Sequence, residues 1–239
     1  MRVTSIKLSK LSKEKKEFLF SLPQSSPEED GIPVYLIVEN CAYFISDFKL
    51  SSKANKQFEK EAPAGLYRGG AVIKVQSKYG TLVVPDDRYK WWKPFAGIAN
   101  FSEGLDLTKT GARELIEEAF VYSSDKKTRF VPKGMLSATK LCSLDFEAEQ
   151  VKELGKIEIV GFEINETNRA LEAVLHWDIS KIDVPYSVSL EEEWFAGGKN
   201  GISVYAINSS GEIVGIFSGQ QGFQEIANFG IHETLKHLL

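Results

Sequence analysis

Apolar and polar positions are most sharply segregated between residues 70 and 84, where Ala71-Val72-Ile73-Lys74-Val75 and Thr81-Leu82-Val83-Val84 flank Ser77, Lys78, Tyr79 and Gly80. β-Branched runs on either side of a short polar segment that ends in glycine predict a β-hairpin, closed by Pro85-Asp86-Asp87. A second hairpin signal covers residues 33–50, with Val34-Tyr35-Leu36-Ile37-Val38 and Ala42-Tyr43-Phe44-Ile45 broken at Glu39-Asn40-Cys41. Residues 51–65, rich in Ser, Lys, Glu and Ala, read as a connector or short helix, and the lysine-rich residues 9–22 as a helix with a solvated face. Residues 157–164 and 171–179 predict strands joined by Asn165-Glu166-Thr167-Asn168, and residues 203–216 a hairpin around Ser209, Ser210 and Gly211. Phe223, Ile226, Ala227, Gly230, Ile231 and Leu235 fall near helical spacing and predict an amphipathic terminal helix, packed on the domain or offered to a partner.

Between the hairpin at 70–84 and residue 120 the period changes. Ala112, Leu115 and Ala119 stand at i, i+3 and i+7, an apolar stripe for a helix to pack on a core. The same helix projects Glu114, Glu117 and Glu118 to one side within about one turn, because residues three and four apart share a face. Three like charges there repel unless a cation intervenes. The pattern therefore reads either as a solvated acidic face or as a hard-oxygen site suited to Mg²⁺ or Mn²⁺.

The order of strand, strand, Pro94-Phe95-Ala96-Gly97 loop, Glu103 and the run Arg113-Glu114-Leu115-Ile116-Glu117-Glu118 resembles the Nudix hydrolase family. That signature is Gly, five residues, Glu, seven residues, then Arg-Glu-hydrophobe-x-Glu-Glu-x-Gly-hydrophobe. The spacing from Gly97 to Glu103 and everything from Arg113 to Glu118 match, and Val121 supplies the last hydrophobe. Nine residues instead of seven separate Glu103 from Arg113, a two-residue insertion placed around residues 104–109. Phe120 stands where the family has its terminal glycine, so the turn leaving the helix must be made differently.

The resemblance spans roughly residues 68–195 and implies an α/β fold, a Nudix-like mixed β-sheet sandwiched between helices. Residues 1–66 then form a small β-rich N-terminal domain that builds a homodimer or shapes a pocket, and residues 67–239 the Nudix-like domain with its C-terminal helix. The implied activity is divalent-metal-dependent cleavage of the diphosphate linkage in a nucleoside diphosphate derivative, ADP-ribose-like or dinucleotide. The alternative is an inactive Nudix-like nucleotide-binding or interaction protein. By position, Glu114 and Glu118 would be the principal metal ligands and Glu117 a further ligand or water-positioning group. The Gly97 carbonyl is a further ligand or only the glycine of a tight turn. Arg113 would pair with Glu103, or make an ordinary surface contact with Glu117. Glu103, Arg113, Glu117 and Glu118 make up the implied catalytic set. Many family members recruit another distant carboxylate, for which one of Glu191, Glu192 and Glu193 is the candidate unless the triplet simply faces solvent. Trp92, with Trp91 and Tyr89, stacks on a base or belongs to the core, and Arg88 is placed to meet a phosphate.

Composition narrows the alternatives. The chain has 239 residues, 43% of them hydrophobic and 26% charged, which suits one large or two modest soluble domains. A net charge of −4 argues against a dedicated nucleic-acid backbone binder. No apolar run approaches the roughly 18 residues of a membrane span, and residues 1–22 are too basic and interrupted for a secretory signal, so the expectation is a cytoplasmic protein. Cys41 and Cys142 lie far apart without Cys-x-x-Cys spacing, and His176, His232 and His237 form no ligand cluster, which disfavours zinc. His176, inside Ala173-Val174-Leu175-His176-Trp177, reads as a packed strand histidine. Walker-type loops, nucleophile elbows and dinucleotide fingerprints are absent.

Overall fold

Glu39 and Asn40 reverse the chain between β2 (Ile32–Val38) and β3 (Cys41–Leu50), with Glu39 in the left-handed region at φ 54° and Val38 opposite Cys41. The two runs are the β-branched and aromatic segments expected as a hairpin, and Pro33, which has no N–H to give to a ladder, lies at the irregularity between Pro33 and Tyr35. The computed structural model describes residues 1–86, 91–134, 150–190, 204–218 and 222–225. Over these residues the protein is mixed α/β and strand-rich, with sixteen strands and three α-helices. None of these helices is long and apolar enough to cross a membrane.

The chain divides into two compact units. The first comprises Met1–Val72, Gly97–Gly111 and Ile159–Leu175. Here β1 (Arg2–Ile6) runs parallel to β3, which pairs with β2, and β2 pairs with the start of β4 (Leu66–Ser77). The strands β11 (Glu158–Asn165) and β12 (Ala170–Asp178) match the pair expected around residues 165–168, and Arg169 takes a left-handed φ of 47° at the turn. The lysine-rich segment forms α1 (Lys13–Ser21), with Ser12 accepting from the Lys15 amide and Leu19 wholly buried. The connector forms α2 (Asn55–Glu61), anchored by Phe58. Leu19, Val34, Ile45, Leu50, Phe58 and Leu66 lie at the centre of this unit's core. Because α1 carries most of its residues as charged surface, its cap matters: Ser12→Ala should cost about 1 kcal/mol, read as a shifted urea midpoint with unchanged slope.

The second unit comprises Ile73–Ala96, Ala112–Glu158 and His176–Leu239. The last residues of β4 pair with β5 (Gly80–Asp86) as the hairpin pattern required, with the Ser77 hydroxyl donating to the Gly80 carbonyl at 2.7 Å. β5 pairs on one side with β6 (Trp91–Lys93) and on the other with β14 (Val204–Ile207), which forms the expected hairpin with β15 (Ile213–Ser218). Gly211 closes the turn begun at Asn208, its amide donating to the Asn208 carbonyl at 2.9 Å and its φ at 77°. Phe223, expected in a terminal helix, lies instead in β16 (Gly222–Glu225) beside β15, where its ring stacks on Tyr79 at 3.7 Å between centroids. Residues 226–239, the rest of that expected helix, lie outside the described residues. A separate four-stranded sheet has the order β10 (Gln150–Glu153), β9 (Thr128–Val131), β8 (Ala119–Ser123), β13 (Tyr186–Leu190).

Candidate functional site

The acidic helix is α3 (Leu107–Glu118), which starts five residues before the expected stripe and ends at Glu118. Ala119, expected on the helix, is the first residue of β8, all five residues of which are buried. Helix gives way to strand without an intervening turn. Asp106 stands just before the helix and accepts from the Thr108 amide at 3.3 Å and from the Thr108 hydroxyl, the usual anionic cap of an N-terminus. Thr110, Ala112, Leu115 and Ile116 are buried, while Arg113, Glu114 and Glu118 are half-buried.

Upstream, residues 101–103 form a short 3₁₀ turn with a reciprocal cap: the Asn100 side chain accepts from the Glu103 amide and the Glu103 carboxylate accepts from the Asn100 amide at 2.9 Å. Glu103 is 9% exposed and also accepts from the Thr110 hydroxyl at 2.9 Å. Its carboxylate thus ties the turn to the first helical turns across the inserted residues. The Tyr35 hydroxyl donates to the Gly104 carbonyl at 2.6 Å, so β2 holds the same loop. Burial, reinforced by the charge of Glu103, pushes the Tyr35 phenol well above its ordinary range and keeps it a neutral donor.

Arg113 pairs with its neighbour Glu114 at 2.7 Å. Glu114 and Glu118 stand one turn apart on α3; Glu117 lies in the same helix, its side chain outside the described residues. Gly97 and Glu103 belong to the first unit, Arg113, Glu114, Glu117 and Glu118 to the second. Among the described residues no three His, Cys, Asp or Glu side chains are grouped to hold a metal ion. Trp92, half-buried in β6, sets its ring against Tyr205 at 4.3 Å and packs against the cluster of Val83 and Ile207. Arg88, Tyr89 and Glu191, Glu192 and Glu193 lie outside the described residues, as does the Trp91 side chain.

Two residues near these elements escaped the sequence reading. Glu172 lies on β12, and a Cβ placed at Gly70 would sit 3.1 Å from the Gly97 carbonyl oxygen and 3.7 Å from Glu172 Cγ. The absence of a side chain at Gly70 is what lets that carbonyl and the Glu172 side chain pack close to its backbone. The signal was a lone acid inside the apolar run Ala170-Leu171-Glu172-Ala173-Val174. Burial holds the Glu172 carboxyl above the usual carboxylate range; Arg68 draws it down, Glu163 pushes it up and a hydrogen bond with Asn165 draws it down again. A carboxyl raised on folding binds its proton more tightly when native, so stability is highest in acid and falls as pH climbs through the raised value. Glu172→Gln should therefore melt higher than the parent at about pH 8 and level with it at about pH 4. Equal gains at both pH values would sink this account.

The second residue is Arg129 on β9, 1% exposed, whose Nη2 donates to the Ile116 carbonyl at 3.1 Å and whose guanidinium carbon lies 4.2 Å from the centroid of the Phe120 ring. Its signal was a single cation in the short run Thr128-Arg129-Phe130-Val131.

No known family model matches this chain, and no curated protein matches it. A solved structure, a hydrolase of the NUDIX family from Clostridium perfringens, is similar over 54% of this chain and 84% of that chain, with 13% identity and a TM-score of 0.30. At that TM-score the likeness carries no weight for fold or chemistry.

Proposed function

We propose that the protein is a divalent-metal-dependent pyrophosphohydrolase of Nudix type that cleaves the diphosphate linkage of a nucleoside diphosphate derivative. The observation that carries this reading is α3, which sets Glu114 and Glu118 one turn apart and half-buried, on a helix capped at its start by Asp106 and bonded near its end by Arg129. Hard carboxylate oxygens at this spacing fit Mg²⁺ or Mn²⁺, and Glu114, Glu117 and Glu118 would hold it. When bound, such a cation neutralises a diphosphate and makes water a stronger nucleophile. The chain's own contribution is placement: Arg113 holds the Glu114 carboxylate in place, and Glu103 with Thr110 holds the preceding turn. The Pro94-Phe95-Ala96-Gly97 segment favours an ADP-ribose-like or dinucleotide substrate.

One observation favours a second reading, a Nudix-like protein that binds nucleotides without turning them over: the Arg113 guanidinium already engages Glu114 at 2.7 Å. One assay separates the two. The full chain is incubated with Mg²⁺ or Mn²⁺, and in parallel with chelator, against ADP-ribose, dinucleoside polyphosphates, nicotinamide dinucleotides, nucleotide sugars and nucleoside triphosphates. Cation-dependent release of a nucleoside monophosphate is expected, and loss of all activity in chelator. Inactivity across the panel together with absent Mn²⁺ binding would establish the second reading.

A further inference from the structure

We propose that Arg129 is the positioning residue for the acidic end of α3, taking over the task that a terminal glycine performs in helices that exit through a left-handed turn; this rests on the reading of α3 as a metal-binding helix. The last four carbonyls of a helix lack intrahelical partners, and the negative end of the helix dipole disfavours carboxylates there. A glycine at the exit usually satisfies some of those carbonyls by letting the backbone fold back on them. This chain instead enters β8 at Ala119 directly, with Phe120 wholly buried. The partner for a terminal carbonyl comes from the adjoining strand: β8 pairs with β9, and from β9 Arg129 reaches the Ile116 carbonyl. Ile116 immediately precedes Glu117 and Glu118.

The choice of arginine has physical consequences. A guanidinium stays charged at any physiological pH, so the helix end acquires a permanent buried cation. The guanidinium carbon of Arg129 lies 4.2 Å from the centroid of the ring of Phe120, the residue at the helix exit, while its Nη2 is bonded to the turn that bears the carboxylates. Phe120 and Arg129 therefore act as a pair. Together they fix the backbone that carries Glu117 and Glu118 and offset the crowding of negative charge before any cation arrives.

The test is Mn²⁺ binding by calorimetry on the full chain, with circular dichroism as a check of folding. Arg129→Met should weaken Mn²⁺ binding by about tenfold, and Arg129→Lys, which retains a cation able to reach the carbonyl, should restore most of it. Phe58→Ala, which damages the core of the first unit, should unfold more easily yet bind Mn²⁺ as the parent does. If Arg129→Met does not fold, Phe120→Leu carries the test: removing the ring while keeping the cation should weaken binding about threefold. Parent-like affinity in whichever variant carries the test, or an equal loss in Phe58→Ala, would overturn the positioning role while leaving the metal-helix reading intact. A parent that binds no Mn²⁺ would overturn that reading and the positioning role with it.

Discussion

On the proposed reading of α3 as a metal-binding helix, Glu118→Gln should leave the fold intact and cut hydrolysis by about a thousandfold, the several kcal/mol that a divalent cation contributes to charge stabilisation in the transition state. Glutamine matches glutamate in shape and keeps one acceptor oxygen, so packing around the last turn of α3 is preserved. What disappears is the full negative charge, for which a neutral amide oxygen is a weak substitute toward a hard cation. The loss should appear in kcat more than in KM, because a cation held at this turn matters most where negative charge builds up during bond cleavage. Raising Mn²⁺ should recover part of the activity, since weakened affinity can be offset by mass action. Full activity in Glu118→Gln would remove α3 from the chemistry.

Glu114→Gln provides the contrast. Its carboxylate is already bonded to Arg113 at 2.7 Å, so the substitution removes a proposed ligand and also an ion-pair partner of a half-buried guanidinium. Its defect should therefore include reduced thermal stability, which Glu118→Gln should lack. If both variants lose stability and neither loses turnover, the acidic run is a structural feature of the helix.

The elements with strong local signals were legible in the sequence. The hairpins β2–β3, β4–β5 and β14–β15 are long or strongly β-branched runs around turn residues, and the structure places each where the pattern required. Short strands such as β7 (Phe95–Ile98), β9 and β10 have four residues each, too few for an alternation to stand out, and what makes them strands is pairing with β4, with β8 and with β9 respectively. The exit from α3 misled the periodicity because Ala119 continues the helical stripe yet is buried as part of a strand; tertiary burial decided against the local pattern. Phe223 is a similar case, since its stack on Tyr79 arises from a residue more than a hundred positions away. At the site, the acidic run was visible because its chemistry is repeated within six residues. Glu172 and Arg129 were not, because each is a single charge whose meaning comes from what the fold sets around it: burial with Arg68, Glu163 and Asn165 for one, the Ile116 carbonyl for the other.

Gly80→Ala should destabilise the protein by about 4 kcal/mol, a cost that backbone strain and steric overlap together can reach. Gly80 begins β5 at φ 148°, where L side chains are strained whatever the space around them. Space is also lacking: a Cβ there would lie 2.2 Å from the Ile207 carbonyl oxygen and 2.8 Å from its carbon. These are backbone atoms of β14, paired with β5 through Thr81 opposite Ile207, so relief requires moving a strand and not rotating a side chain. The same displacement would disturb the Ser77 hydroxyl, which bridges the turn by donating to the Gly80 carbonyl and accepting from the Tyr79 and Gly80 amides at 3.2 Å. It would also loosen the cluster of Val83 and Ile207, on which Trp92 and Tyr205 pack. Chemical denaturation should show the lowered midpoint, with near-ultraviolet dichroism of Trp92 changing in step. A stability within about 1 kcal/mol of the parent would mean that β5 and β14 are less tightly registered than the Thr81–Ile207 pairing implies.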